Sequence, residues 1–120
     1  MQANNRDAGS LWDMLKAIRL IQEFVTNLTY DAYLESALTQ SAVERQLEIL
    51  GEAARRLSDN FRHAHPEIDW RRIIGLRNVL AHRYEEIRQH TIWAVINSEL
   101  EPLQAQLESL LPPAPNEPNS

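Results

Sequence analysis

The 120-residue sequence contains no cysteine and only three glycines. Without cysteine the chain has no disulfide framework, no thiolate nucleophile and no cysteine-containing zinc site. No stretch approaches the roughly 18 uninterrupted apolar residues that indicate a membrane span, and the N-terminus lacks the apolar region of a signal peptide. We therefore expect a protein that is neither exported nor embedded in a membrane, and we place it in the cytoplasm.

The residues that are present favour helix. Leucine, alanine, glutamate, glutamine and arginine are frequent, and the alternating runs of valine, isoleucine and threonine that indicate strands are missing. With 43% hydrophobic and 24% charged residues, the chain has the composition of one ordinary globular domain. The composition therefore predicts an all-α domain.

Apolar residues recur at helical spacing in three long segments. These segments are residues 10–28, residues 38–60 and the stretch from Gln89 onward. Ser10 and Asp13 have the spacing of a capping box at the start of the first segment. Pro102 is expected to kink the last segment, because its ring removes a backbone donor.

A connector and a shorter helix complete the predicted fold. Residues 61–69 are predicted to form the connector, because Pro66 disfavours helix at His65. Thr29 can start a short turn or helix, and Asp69 suits the N-cap of the helix that follows the connector. We therefore predict an antiparallel bundle of four to five helices.

The bundle is expected to occupy residues 10–111, between a disordered N-terminus (residues 1–9) and a disordered proline-rich tail (residues 112–120). Some helices also carry apolar residues beyond those of one seam, namely Leu11, Trp12, Leu15, Leu20, Phe24 and Trp93. Two explanations fit this surplus: dimerisation, or cover by a short helix.

The charge of the chain is uneven. The net charge is -5, yet residues 70–90 contain five arginines against two glutamates, a local charge of +3. These arginines are Arg71, Arg72, Arg77, Arg83 and Arg88. They form either a basic patch for an anionic partner or a solvated helix face.

Within this basic segment, residues 77–84 read Arg-Asn-Val-Leu-Ala-His-Arg-Tyr. On a regular helix Arg77 and His82 would lie about 140° apart, so one straight helix does not direct both at the same atom. Three arrangements would bring them together: the long reach of arginine, a helix that ends near His82, or a second copy of the chain at a two-fold interface.

The side chains of this octapeptide suit phosphodiester chemistry. A guanidinium such as that of Arg77 binds phosphate oxygens and stays charged as negative charge accumulates in the transition state. The imidazole of His82 can accept or donate a proton, and Asn78 can orient either group. RNA carries its own nucleophile in the 2′-hydroxyl, so cleavage would need no metal. Tyr84 could stack on a base or accept a modification.

Two other groups of polar residues are not predicted to be functional sites. His63 and His65, with Glu67 and Asp69 nearby, lack an obvious third metal ligand, so we predict no metal site and no cofactor. Glu48 and Glu52 lie four residues apart on a helix, and we interpret them as a solvated face with Arg45, Arg55 and Arg56 as neighbours, in preference to an acid/base pair.

The octapeptide resembles the Arg-x4-His-x-Tyr motif of the HEPN superfamily, and its surroundings are similar to the HepT toxin family. The preceding landmarks occur in the same order: Leu-Glu-Ile-Leu-Gly-Glu-Ala-Ala at residues 47–54, His-Pro-Glu-Ile-Asp-Trp at residues 65–70 and Ile-Gly-Leu-Arg-Asn at residues 74–78. The similarity covers about residues 10–110. It implies a HEPN-like helical bundle that acts as a homodimeric, metal-independent endoribonuclease toxin of a toxin–antitoxin pair.

By position, the resemblance implies that Arg77 and His82 are catalytic and that Asn78 belongs to the same cleft. It also implies that Tyr84 is the tyrosine that an MntA-type nucleotidyltransferase antitoxin modifies with AMP. Arg83 adds positive charge that can assist RNA contact, and we assign the same role to Arg72. The alternative function is a non-catalytic dimeric helical adaptor that binds the nucleotidyltransferase and cuts nothing.

Overall fold

The computed structural model describes residues 5–111, which form α-helices joined by short loops, with no strand in that range. The helices are α1 (Asn5–Phe24), α2 (Tyr30–Leu34), α3 (Ala37–Arg56), α4 (Asp59–Ala64), α5 (Trp70–Ile74), α6 (Leu76–Leu80), α7 (Glu85–Ser98) and α8 (Leu100–Leu110). The all-α bundle predicted from the sequence is confirmed. The predicted proline-rich tail (residues 112–120) and residues 1–4 lie outside the described residues.

Helices α1 and α3 are the antiparallel centre of the bundle. The first half of α1 lies beside the end of α3, where Arg56 pairs with Asp13 at 2.9 Å. Helix α8 runs antiparallel to the second half of α1, as the contacts Arg19–Glu108 and Gln22–Gln104 show. The buried apolar side chains of these helices, with those of α7, form one continuous core. None of the helices in residues 5–111 is long and apolar enough to cross a membrane.

The first helix begins five residues earlier than the capping-box prediction, which is wrong. Helix α1 starts at Asn5, and Ser10 is buried within it. The Asp7 carboxylate accepts hydrogen bonds from the Ser58 amide (2.9 Å) and hydroxyl (2.8 Å). This tertiary contact stabilises a first turn that the apolar pattern does not indicate. Residues 5–9 therefore belong to α1.

The second predicted helix is divided into two. Helix α3 ends at Arg56, and the Ser58 hydroxyl caps α4 by accepting the Phe61 amide at 3.1 Å. The predicted connector therefore begins too early, since its first residues belong to α4. The predicted cap of the next helix is confirmed, because the Asp69 carboxylate accepts the Arg72 amide at 3.0 Å.

The last predicted helix is also divided, but not at the proline. Helix α7 begins at Glu85, and the break falls at Glu99, between α7 and α8. Pro102 lies in the first turn of α8, where an amide has no partner within the helix and its loss costs little. The kink predicted at Pro102 is therefore replaced by a helix start just before it.

The surplus apolar side chains are largely explained by packing within the chain. Leu11 and Leu15 are fully buried. The ring of Trp93 lies 5.0 Å from that of Tyr33 and 5.8 Å from that of Tyr30. The short helix α2 thus covers part of α7, in agreement with the second explanation of the surplus.

Candidate active site

The segment that carries Arg77 is held close to the backbone of α3. A Cβ atom placed on Gly51 of α3 would lie 3.3 Å from the carbonyl oxygen of Ile73 and 3.7 Å from that of Ile74. A glycine therefore permits α5 and α6 to approach α3 more closely than a larger residue would allow. Leu76 is buried beneath this junction, and the opposite face of α6 is left at the surface.

Arg77 and Asn78 lie on the exposed face of α6. Arg77 lines a small cavity of about 40 Å³ beside Glu48 and Glu52 of α3. Glu48 is paired with Arg45, and Glu52 is paired with Arg55 at 3.1 Å. Within residues 5–111 the Arg77 guanidinium has no hydrogen bond or ion pair, so its fork remains available for a phosphate.

The two carboxylates beside Arg77 are themselves explained by their surface pairs. Glu48 and Glu52 are exposed and each contacts an arginine three residues away, as the interpretation of a solvated face requires. Arg56, the third predicted neighbour, instead pairs with Asp13 of α1.

His82 lies beyond the end of the helix, in the loop between α6 and α7. Helix α6 ends at Leu80, and the His82 amide donates to the Val79 carbonyl oxygen at 3.2 Å. The octapeptide is therefore not one continuous helix, and the 140° separation does not apply. Of the three arrangements considered, the structure has the helix that ends near His82, although no hydrogen bond joins His82 to Arg77 in the described range.

The His82 side chain is exposed. Within residues 5–111 its ring makes one hydrogen bond, a long one of 3.4 Å from the Tyr84 amide to Nδ1. Such a contact constrains the ring weakly. The imidazole is therefore accessible for proton transfer.

Tyr84 follows in the position just before α7, where 64% of its surface is exposed. Its ring centre lies 6.2 Å from that of His82. Arg83, between the two, is also exposed. The structure thus gathers His82, Arg83 and Tyr84 in one short exposed loop directly after α6.

Arg72 does not share this surface freely. Its Nε and Nη2 donate to the two carboxylate oxygens of Glu99, each at 3.0 Å. This bidentate hydrogen bonding raises the pKa of Arg72, with a smaller contribution from the charge of Glu99. Because Glu99 occupies its Nε and Nη2 donors, Arg72 joins α5 to the α7–α8 junction, and its contact with RNA stays a prediction.

Two further histidines, His63 and His65, lie away from the His82 loop, near the end of α4. His65 packs on the Phe61 ring, with ring centres 4.6 Å apart, and its Nδ1 lies 3.1 Å from a Glu67 oxygen. His63 is exposed on α4. Within residues 5–111 no group of three or more histidine, aspartate or glutamate side chains is arranged to hold a metal ion.

The sequence reasoning missed a group of polar residues beneath the His82 loop. Gln89, which is 1% exposed, donates to the Glu44 carboxylate at 2.7 Å and accepts a hydrogen bond from the Tyr33 hydroxyl. Arg88 donates to the His82 carbonyl oxygen at 3.0 Å. Gln89 lies three residues before Ile92 and seven before Ile96, so a polar residue in an apolar helical series was the available signal.

The structure defines an all-α domain that exposes Arg77 on α6 and His82 in the loop after it, and comparison with known proteins gives its family. Residues 14–110 match the family described as Ribonuclease HepT-like. The chain belongs to this HepT-like ribonuclease family. The resemblance found in the sequence is thereby confirmed.

Individual relatives have names that also refer to ribonucleases. The chain is 35% identical over 100 residues to "Probable ribonuclease HepT" of Thermococcus cleftensis, covering 83% of this chain and 91% of that protein. It is 31% identical over 98 residues to "Putative RNase MJ1380" of Methanocaldococcus jannaschii, covering 82% of this chain and 90% of that protein. No solved structure gives a significant match.

Proposed function

We propose that this protein is a metal-independent endoribonuclease in which Arg77 and His82 are catalytic and Asn78 belongs to the same cleft. The observation that carries the proposal is the unpaired guanidinium of Arg77 on α6, with the accessible imidazole of His82 in the loop where α6 has ended. Membership of a ribonuclease family supports RNA as the substrate.

The proposed reaction uses a nucleophile that the substrate supplies. An imidazole accepts the proton of the RNA 2′-hydroxyl, whose oxygen then forms a bond to phosphorus. The bond from phosphorus to the 5′-oxygen breaks, and that oxygen takes up a proton. The products are a 2′,3′-cyclic phosphate and a 5′-hydroxyl. Arg77 stabilises the extra negative charge on the phosphate oxygens as this exchange occurs.

Two proton transfers favour a site shared between two copies of the chain. One His82 provides a single imidazole, which can act as the base, and the partner's His82 can then act as the acid. Exposed apolar side chains lie beside the loop, since Tyr84 is 64% and Ile87 is 51% exposed. A two-fold interface across this surface would bury them and bring two loops together.

Tyr84 is the proposed point of control, and the enzyme is the proposed toxin of a toxin–antitoxin pair in the cytoplasm. The hydroxyl of this exposed tyrosine would attack the α-phosphorus of ATP on an MntA-type nucleotidyltransferase antitoxin, with pyrophosphate as the leaving group. Its ring is 6.2 Å from that of His82, so the attached AMP would obstruct the loop. The added phosphate charge would also repel RNA beside Arg83.

The test is RNA cleavage by the purified protein in the presence of a metal chelator, with Tyr84 shown by mass spectrometry to be unmodified. Arg77→Ala and His82→Ala should each lower the cleavage rate about 100-fold or more. The wild type should release products that end in a 2′,3′-cyclic phosphate.

Matched controls separate the site from general loss of charge. Arg19→Ala and His63→Ala remove the same side chains from exposed positions on α1 and α4 and should leave the rate unchanged. A folded, unmodified wild type that leaves RNA intact would favour the non-catalytic adaptor. If Arg77→Ala and His82→Ala both cleaved RNA at the wild-type rate, the active site would lie elsewhere on the protein.

A further inference from the structure

The position of His82 depends on its backbone, because side-chain packing does little to fix it. All residues from Ala81 to Ile87 are exposed. Within residues 5–111 the long contact to the Tyr84 amide is the only hydrogen bond of the His82 ring. A catalytic imidazole on such a loop requires another restraint, since displacement by about 1 Å can cost about 100-fold in rate.

Arg88 supplies a restraint at both ends of the loop. Its Nη1 donates to the His82 carbonyl oxygen at 3.0 Å, and its own amide donates to the Tyr84 carbonyl oxygen at 2.9 Å. Fixing these two carbonyls limits the rotation of the peptide that joins His82 to Arg83 and of the peptide that joins Tyr84 to Glu85. The side chain of Arg88 is 22% exposed, so the bond to His82 is partly protected from water.

Glu44 of α3 holds the Arg88 side chain from the other side. A Glu44 oxygen lies 3.8 Å from Arg88 Nε, a nitrogen that is buried and has no hydrogen bond. The second Glu44 oxygen accepts Gln89 Nε2 at 2.7 Å. Gln89 in turn accepts a hydrogen bond from Tyr33. A chain of polar contacts thus runs from the buried Tyr33 of α2 to the backbone of His82.

The directions of the hydrogen bonds are fixed at the buried Tyr33 end of these polar contacts. Burial, and next the negative charge of Glu44, raise the pKa of Tyr33 well above its usual range, so the hydroxyl remains a donor. Because Gln89 must then accept from Tyr33 with its oxygen, its amide nitrogen faces Glu44. That arrangement leaves the other Glu44 oxygen for Arg88.

We propose that Arg88 and Glu44 are positioning residues, which hold the His82 loop in the geometry needed for RNA cleavage. Neither is required to touch the substrate: Arg88 acts through the His82 carbonyl, and Glu44 acts through Arg88. The inference rests on the proposed function of His82, and it assigns to α2 and α3 a part in ordering a loop between α6 and α7.

The experiment compares Arg88→Met and Glu44→Gln with the matched control variants Arg19→Met and Glu108→Gln. The control pair forms an exposed ion pair at 3.0 Å between α1 and α8. Steady-state RNA cleavage gives kcat and KM. ¹⁵N relaxation gives the order of the amides of residues 82–84. Thermal unfolding reports whether each variant is folded.

Arg88→Met is expected to lower kcat about 10- to 100-fold with KM within twofold, and to increase the mobility of residues 82–84. Arg88→Lys, which can still donate to the His82 carbonyl, should recover part of the rate. Glu44→Gln should show a smaller loss of the same kind. If Arg88→Met does not fold, Arg88→Lys and Glu44→Gln decide the question.

Two other results would overturn the proposal. An active wild type whose Arg88 and Glu44 variants cleave RNA at the wild-type kcat would refute the positioning role and leave the proposed ribonuclease site intact. A folded wild type that cleaves no RNA would refute the ribonuclease itself, and the positioning role with it, whatever the mobility of the loop.

Discussion

Two arginines five residues apart show how partners decide the role of a side chain. The guanidinium of Arg72 makes a bidentate contact with the Glu99 carboxylate, whereas Arg77 has no ion pair within residues 5–111. Both belong to the same basic segment, so composition does not separate them. The charge of Arg72 is already offset by the carboxylate that it binds, whereas Arg77 keeps all its N–H donors free within the described residues, and this difference favours Arg77 as the residue that meets RNA.

Exposure of Tyr84 leads to a prediction about modification. Tyr84→Phe should prevent the attachment of AMP by the cognate nucleotidyltransferase, because the substitution removes the hydroxyl that would attack ATP. Intact-mass spectrometry after incubation with the partner and ATP would measure the attachment. The wild type should gain the mass of at least one AMP.

Tyr30→Phe is the matched control for that measurement. Tyr30 is partly buried, with its ring 6.0 Å from that of His90, and its loss should leave AMP attachment unchanged. Attachment to the Tyr84→Phe protein would assign the modification to another residue.

Among the contacts between helices, the close approach of α3 to the α5–α6 junction determines how near α3 the segment that carries Arg77 lies. Gly51→Val should destabilise the protein by about 1–3 kcal/mol, because the larger side chain must displace the carbonyls of Ile73 and Ile74. Chemical denaturation followed by circular dichroism would measure this change in the free energy of unfolding.

Gly9 provides the control, since a Cβ added there in α1 meets nothing within 4 Å. Gly9→Ala should therefore stabilise the protein by about 0.5–1 kcal/mol through helix propensity alone. If Gly51→Val were as stable as the wild type, the close approach of α3 to the α5–α6 junction would not be a constraint on the fold.

The helices also show which parts of the fold could be predicted from the sequence and which could not. Apolar periodicity predicted the long helices, and the N-cap preference of aspartate predicted the Asp69 cap, because both depend on neighbouring residues. It did not predict the breaks near Leu57, Gly75 and Glu99, where the chain turns to meet other helices. The octapeptide was found as a candidate site, but the end of α6 before His82 and the contact of Arg88 with the loop depend on three-dimensional packing.

For the whole molecule, the decisive prediction concerns assembly. Ile87→Glu should convert the proposed dimer to a monomer and lower RNA cleavage together with it, because a charge would be buried at the interface. Sedimentation velocity would measure the association state of the protein, and the cleavage assay would follow at the same concentrations.

Leu38→Glu introduces the same charge at another exposed apolar side chain, which is 83% exposed at the start of α3. This variant should remain dimeric. A monomer produced by Leu38→Glu, with Ile87→Glu still dimeric, would place the interface on a different surface.

The exposure of residues 81–87 has a practical consequence for finding the RNA that this protein encounters. Because these side chains contribute little to the core, the His82→Ala protein should keep its folded surface while losing the imidazole. Under the proposed mechanism, such a protein should retain uncut RNA. The His82→Ala protein could be expressed in cells without inhibiting growth and crosslinked to the RNA that it binds. Sequencing of the crosslinked RNA would then identify its targets.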